Sequence, residues 1–114
     1  MRLVDLDVIA YKSGDLKDSL NVPFMACRLC FEAIKLCPPL IKKGNINLIS
    51  DVAVAAVLLE SAFSAANFNV EINLKFLKDK KISGKVRKEL RKKGNTIKKI
   101  RRDTEGKVGK IIGR

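Results

Sequence analysis

The chain has 114 residues, 46% of them apolar, and a formal charge of +12 from 24 Lys plus Arg against 12 Asp plus Glu. That length and composition fit one domain able to bury a core of its own. With no histidine present, a His-based triad and a His-ligated zinc are both excluded, and three cysteines argue against a disulfide framework.

Residues 2–12, RLVDLDVIAYK, place Leu3, Leu6, Ile9 and Ala10 on one stripe of a short helix. Its acids stand where a signal peptide would be basic and then apolar, so a cytoplasmic protein is expected. The stretch 13–21, SGDLKDSLN, predicts a turn, with Asn21 as the cap of the next helix and Pro23 in its first turn. That helix is expected to run from about 22 towards Lys43, with a seam of Ala26 or Cys27, Cys30, Phe31, Ile34, Cys37 and Ile41. Pro38-Pro39 breaks or kinks it, and Gly44-Asn45 stops it.

Ser50 is the expected cap of a third helix, with Asp51 suited to its positive end. Residues 52–68, VAVAAVLLESAFSAANF, are apolar nearly all round, which predicts a central helix enclosed by others. Asp51, Glu60 and the Asn residues interrupt the run, so no membrane span is expected. Val70, Ile72 and Leu74 also alternate like a short strand; in a helical chain they are read as helix.

The charge is unevenly spread. Residues 1–74 hold 7 basic and 8 acidic side chains, and residues 75–114 hold 17 and 4. The basic part is nonetheless patterned: Val86, Leu90, Ile97, Ile100, Val108 and Ile111 recur at helical spacing, with a break expected at Gly94-Asn95. Two amphipathic helices docked on the body or on a second subunit are therefore expected. The chain divides into a helical body, 1–79, and a basic helical tail of the same domain, 80–114.

Several side chains could carry chemistry. Cys27-x-x-Cys30 with Cys37 has the look of a metal or redox set, but all three lie on an apolar stripe, where a thiol acts as a small hydrophobe. Glu60, mid-helix among apolar residues, is either a structural hydrogen-bond partner or an acid with a raised pKa. Asp51 serves a helix start more readily than catalysis. Asp5 and Asp7, two apart, point in different directions. Asn45, Asn47, Asn67, Asn69 and Asn73 are unusually concentrated; amides suit the polar edge of a planar heterocycle, and equally suit turns and cross-helix bonds.

The string Gly44-Asn45-Ile46-Asn47-Leu48-Ile49-Ser50-Asp51-Val52-Ala53-Val54-Ala55-Ala56 resembles the GNxNxxSDxxVAA signature of the formimidoyltetrahydrofolate cyclodeaminase and methenyltetrahydrofolate cyclohydrolase family. Phe68 to Asp79 is similar to its LNVxINLxxLKD motif, and Val4-Asp5-Leu6-Asp7 with Ala10-Tyr11 to its IDxDxxAF segment. The family's Gly-rich opening is not found, so the chain resembles its C-terminal portion. The resemblance implies an all-α multihelical bundle around a buried central helix, a homodimer, and a tetrahydrofolate derivative as substrate with no metal. It also implies a proton shuttle at Asp5 or Asp51, with Asp5 the first choice, and a pocket shaped by Asn45, Asn47, Asn69 and Asn73.

Two rival readings stand beside it. One is a non-catalytic member of the same fold. The other is a basic helical protein that binds nucleic acid, against which the scarcity of aromatic residues in the tail argues.

Overall fold

In the computed structural model, residues 15–42 and 44–114 are described, with side chains from Ser19 onwards. The expected helix over 2–12, and with it Asp5 and Asp7, lies outside the described residues. Four helices make up the rest: α1 (Asp15–Ile34), α2 (Cys37–Ile41), α3 (Ile46–Phe76) and α4 (Lys80–Ile111). No strand occurs among the described residues, and the fold is all-α.

Helix α1 begins earlier than its turn-forming residues suggest. Asn21 caps nothing, and Pro23 lies inside the helix. The apolar stripe explains this, because Leu20, Phe24, Cys27 and Ile34 are all buried at helical spacing. An interior proline costs about 3 kcal/mol. Burying Leu20 returns about 2 kcal/mol of that, and a side chain of α3 takes up the carbonyl that Pro23 leaves without a donor.

The chain does break ahead of Pro38-Pro39, as expected. Leu36 donates its backbone N–H to the Ala33 carbonyl (3.0 Å), and the two prolines open the short α2, where their missing N–H groups cost nothing.

The start of α3 corrects a second expectation. Its cap is Asn45, whose side chain accepts from the Leu48 N–H (2.9 Å). Ser50 sits one turn inside, its hydroxyl donating to the Asn47 carbonyl (2.9 Å). The helix then continues without interruption through Val70, Ile72 and Leu74, so the helical reading of that stretch holds. At 31 residues it is the centre of the molecule, packed by α1, α2 and α4.

Its enclosure is one-sided. Ile49, Val52, Ala56, Phe63, Val70 and Leu74 are buried, whereas Val54 (56%), Leu58 (61%), Phe68 (75%) and Ile72 (60%) are exposed. An 18-residue window of α3 has a mean hydropathy of 1.7, and by length and composition alone it is long and apolar enough to cross a membrane. The polar residues thus interrupt it less than expected.

Helix α4 is one helix, not two. Asp79 caps it by accepting from the Lys81 and Ile82 N–H groups (both 3.1 Å). Val86, Leu90, Ile97, Thr104 and Val108 stay buried, so the stripe passes Gly94 without a change of phase, although its expected last member, Ile111, is exposed at the end of the helix. A Cβ at Gly94 would stand 3.4 Å from the Phe63 ring. The glycine therefore marks a close helix approach, and the buried stripe outweighs its cost of about 1 kcal/mol in helix propensity.

Contacts of Glu60 with Arg101, Phe63 with Gly94, and Glu71 with Arg87 show that α3 and α4 run antiparallel. The described residues form an elongated body, 51 × 20 × 17 Å.

Candidate functional site

The residues singled out from the sequence fall into two groups on α3. Asn45, Asn47 and Asp51 stand at its N-terminal end; Asn69 and Asn73 stand towards its C-terminal end.

The first group is built on a tight entry. A Cβ on Gly44 would lie 2.7 Å from Leu48 Cδ2 and 3.0 Å from its Cβ, so any side chain there would force the exposed Leu48 side chain to shift. Asn45 follows as the cap, its Oδ1 already engaged by the Leu48 N–H. The Gly-Asn pair of the signature is thereby given a structural role. Asn47 and Asp51 are exposed, one turn apart, with side chains free to meet a ligand.

In the second group, Asn73 donates through Nδ2 to the Asn69 carbonyl one turn back (2.8 Å) and to the Ser19 carbonyl of α1 (3.2 Å). For Asn73 this is the cross-helix bonding weighed against a recognition role. Asn69 is exposed.

The two groups are not brought together. Asp51 and Asn69 are 18 positions apart, five full helical turns, so they share one face about 27 Å from each other along the axis. A single pterin cannot touch both on one chain. Asp5, first choice for the acid–base role, lies outside the described residues.

The structure resolves the alternatives for Glu60. It hydrogen-bonds Arg101 of α4, which also pairs with Glu105 (3.1 Å). This is the structural role weighed for it. The cysteines belong to the core region of α1 and α2. Cys27 is buried and donates its S–H to the Phe63 carbonyl (3.7 Å); burial, with the nearby Cys30 and Glu89, pushes its pKa up from 9.0 to about 12. Burial also raises the pKa of Cys30 and Cys37. Neutral thiols of this kind are poor nucleophiles and poor metal ligands, and no group of three metal-ligating residues occurs among the described residues.

Sequence reasoning missed a buried ion pair. Arg28 is 4% exposed, yet it forms a two-pronged bond to Glu89 of α4 (Nε and Nη2, both 2.8 Å) and stacks 4.2 Å over the Phe24 ring. The signal was available, since each is a charged residue set into its helix's apolar stripe.

These observations define an all-α helical domain whose long central helix carries a polar signature at each end. The chain belongs to the formiminotransferase-cyclodeaminase family, whose profile matches residues 10–92. Over 75 residues, 66% of its length, it is 39% identical to a methenyltetrahydrofolate cyclohydrolase of Methylorubrum extorquens. The chain spans 36% of that relative's length. No solved structure matches it significantly.

Proposed function

We propose that the chain works on the one-carbon bridge of a tetrahydrofolate, opening or closing the methenyl ring. The observation that carries this reading is the 39% identity to a methenyltetrahydrofolate cyclohydrolase, in a chain whose two signature groups lie on α3. In the opening direction water adds to the electrophilic methenyl carbon and loses a proton. The carbon–nitrogen bond then breaks, the ring nitrogen is protonated, and a formyl group remains. In the closing direction a formimidoyl group cyclises and ammonia leaves. Both need a proton carrier near the carbon, the role given to Asp5 and Asp51, and amides for the pterin edge, the role given to Asn45, Asn47, Asn69 and Asn73. Neither step requires a metal.

The reading includes a homodimer in the cytoplasm. The exposed apolar side chains of α3 (Val54, Leu58, Phe68, Ile72) support the dimer. A two-fold axis at the level of Glu60 would set Asp51 against Asn69 of the partner subunit, and Asn47 against Asn73 of the partner subunit. That register joins the two signature groups at both ends of the interface.

The test is spectroscopic. Purified chain is mixed with methenyltetrahydrofolate and its absorbance is followed. Turnover is expected, with Asp51→Asn slower by roughly 100-fold. Folate binding without turnover would support the non-catalytic reading, and absence of both would overturn the folate reading.

A further inference from the structure

The outer face of α4 takes no part in the core and none in the folate reading. The helix holds fourteen basic residues against three acidic ones. Two of the acids, Glu89 and Glu105, are spent on Arg28, Lys93 and Arg101, all at least half-buried. Asp103 is the one exposed acid of the helix.

Because α4 is unbroken at Gly94, its remaining cations fall into register. Lys81, Lys85, Lys88, Lys92, Lys99 and Arg102 follow one another at steps of three, four or seven residues. All six are exposed, and that spacing sets them in one row on the side away from the buried stripe. The row is 21 positions long, about 30 Å. None of the six forms an ion pair with a carboxylate among the described residues. Cations held this close repel one another, and a polyanion relieves that repulsion while releasing its own counterions.

The surroundings of the row select the polyanion. Arg91 and Lys98, also exposed, lie about a quarter turn to one side, and Lys107 about as far to the other. The positive band therefore covers half of the helix surface. A flat anionic bilayer would be met by the row alone, whereas the phosphates of a duplex stand on both walls of a groove. The one exposed large apolar side chain of α4, Ile111, stands at the helix end outside the row, so nothing in the band enters a lipid layer. The major groove of B-form DNA, about 12 Å wide, admits a helix about 10–12 Å across; that of A-form RNA is too narrow. Scarce aromatic residues tell against stacking on unpaired bases, but the bases of a duplex are stacked already.

We propose that the outer face of α4 binds the phosphate backbone of double-stranded DNA without regard to base sequence. Five of the six residues in the row are lysines, point charges on flexible stems, which suit phosphate contact without base readout. The surface uses none of the signature residues, so its failure would leave the folate reading standing.

The probe is a fluorescein-labelled DNA duplex of about 30 base pairs, titrated with the purified full chain and followed by anisotropy. With about five phosphates contacted, a Kd of about 1 µM is expected at about 50 mM salt, weakening roughly 30-fold by about 100 mM. A duplex of unrelated sequence should bind within about twofold of the first. Lys88→Glu with Lys99→Glu should weaken binding at least about tenfold and make the salt slope shallower by about two. Lys42→Glu with Lys75→Glu makes the same change in net charge away from α4 and should alter affinity less than about threefold. All four lysines are exposed, so both double variants keep the fold. The proposal is overturned by no binding at about 50 mM salt, by a flat salt response, or by equal weakening in the two double variants. Tighter binding to phosphatidylserine vesicles or to duplex RNA than to the DNA would overturn it as well.

Discussion

Asn73 supplies the hydrogen bond that Pro23 takes away. In an α-helix the N–H of residue 23 would bond the carbonyl of residue 19; proline has no N–H, and the Nδ2 of Asn73 donates to the Ser19 carbonyl instead, at 3.2 Å. A family signature residue on α3 therefore also stabilises an irregular point in α1. Asn73→Ala should cost about 1 kcal/mol in urea unfolding. In a Pro23→Ala background the backbone donor returns, and the same substitution should cost at least about 0.5 kcal/mol less. Strict additivity of the two changes would show that the bond contributes nothing. The double variant also separates roles, since it should fold well yet lose activity if Asn73 meets substrate.

The Arg28–Glu89 pair should govern stability in acid. Burial pulls the Glu89 carboxyl pKa up, but the hydrogen bonds from Arg28 and Lys93 outweigh it and hold the pKa below its ordinary value of 4.5. A folded pKa below the unfolded one gives stabilisation that is complete above about pH 4.5 and is lost as pH falls through the folded value. Removing one partner of a buried pair leaves the other charge uncompensated, at about 3–5 kcal/mol; Glu89 is partly exposed, so about 2 kcal/mol is expected for Glu89→Gln at neutral pH. Thermal melts from pH 7 down to about 3 should show a smaller acid loss in the variant than in the parent chain. Parallel curves would rule the pair out as the acid-sensitive element.

Local signals in the sequence competed with packing, and packing decided. The seam of α1 and α2, the break at Pro38-Pro39 and the apolar stripe of α4 were legible because each is a periodic pattern or a fixed steric rule. Asn21 and Ser50 were plausible caps and Gly94 a plausible break. Each was overridden: buried Leu20 drew α1 back through Asn21, a competing cap at the exposed Asn45 started α3 before Ser50, and buried Phe63 received α4 at Gly94. The signature residues could be named from the sequence, but their division into two groups about 27 Å apart follows only from an unbroken α3. Arg28 and Glu89 each stood out as a charge on an apolar stripe. Their pairing, like the buried Asn67 Oδ1 that finds no hydrogen-bond partner among the described residues, depends on which faces meet, and a single sequence does not record that.

Cys27 should be the least reactive thiol in the folded chain. With a pKa pushed up to about 12, its thiolate fraction at neutral pH is lower than an ordinary cysteine's by roughly 1,000-fold, and alkylation follows the thiolate. Cys30, the one cysteine not fully buried, should react first with iodoacetamide, followed by mass spectrometry of peptides. A raised pKa also predicts alkaline sensitivity. The neutral thiol's contribution is complete below about pH 9 and is lost as pH rises towards about 12. Cys27→Ala should reduce that loss, at the cost of the S–H bond to Phe63. Early labelling of Cys27 at neutral pH would mean that α1 opens locally.

Gly84, Gly94 and Gly106 offer an internal control on what holds α4 together. All three lie inside the helix; a Cβ at Gly84 or Gly106 meets nothing within 4 Å, whereas at Gly94 it meets the Phe63 ring at 3.4 Å. Glycine costs about 1 kcal/mol relative to alanine in a helix interior, chiefly through the freedom of the unfolded chain. Gly84→Ala and Gly106→Ala should therefore each raise stability by about 0.5–1 kcal/mol and add to one another, being 22 positions apart. Gly94→Ala receives the same entropic gain but crowds Phe63, so its net effect should be smaller. Urea midpoints for the three single variants and the Gly84/Gly106 double test this directly. If Gly94→Ala stabilised as much as the other two, the close approach of α4 to Phe63 would not constrain that position; if neither exposed site responded, the helix ends would already be frayed and α4 would rest on its buried stripe alone.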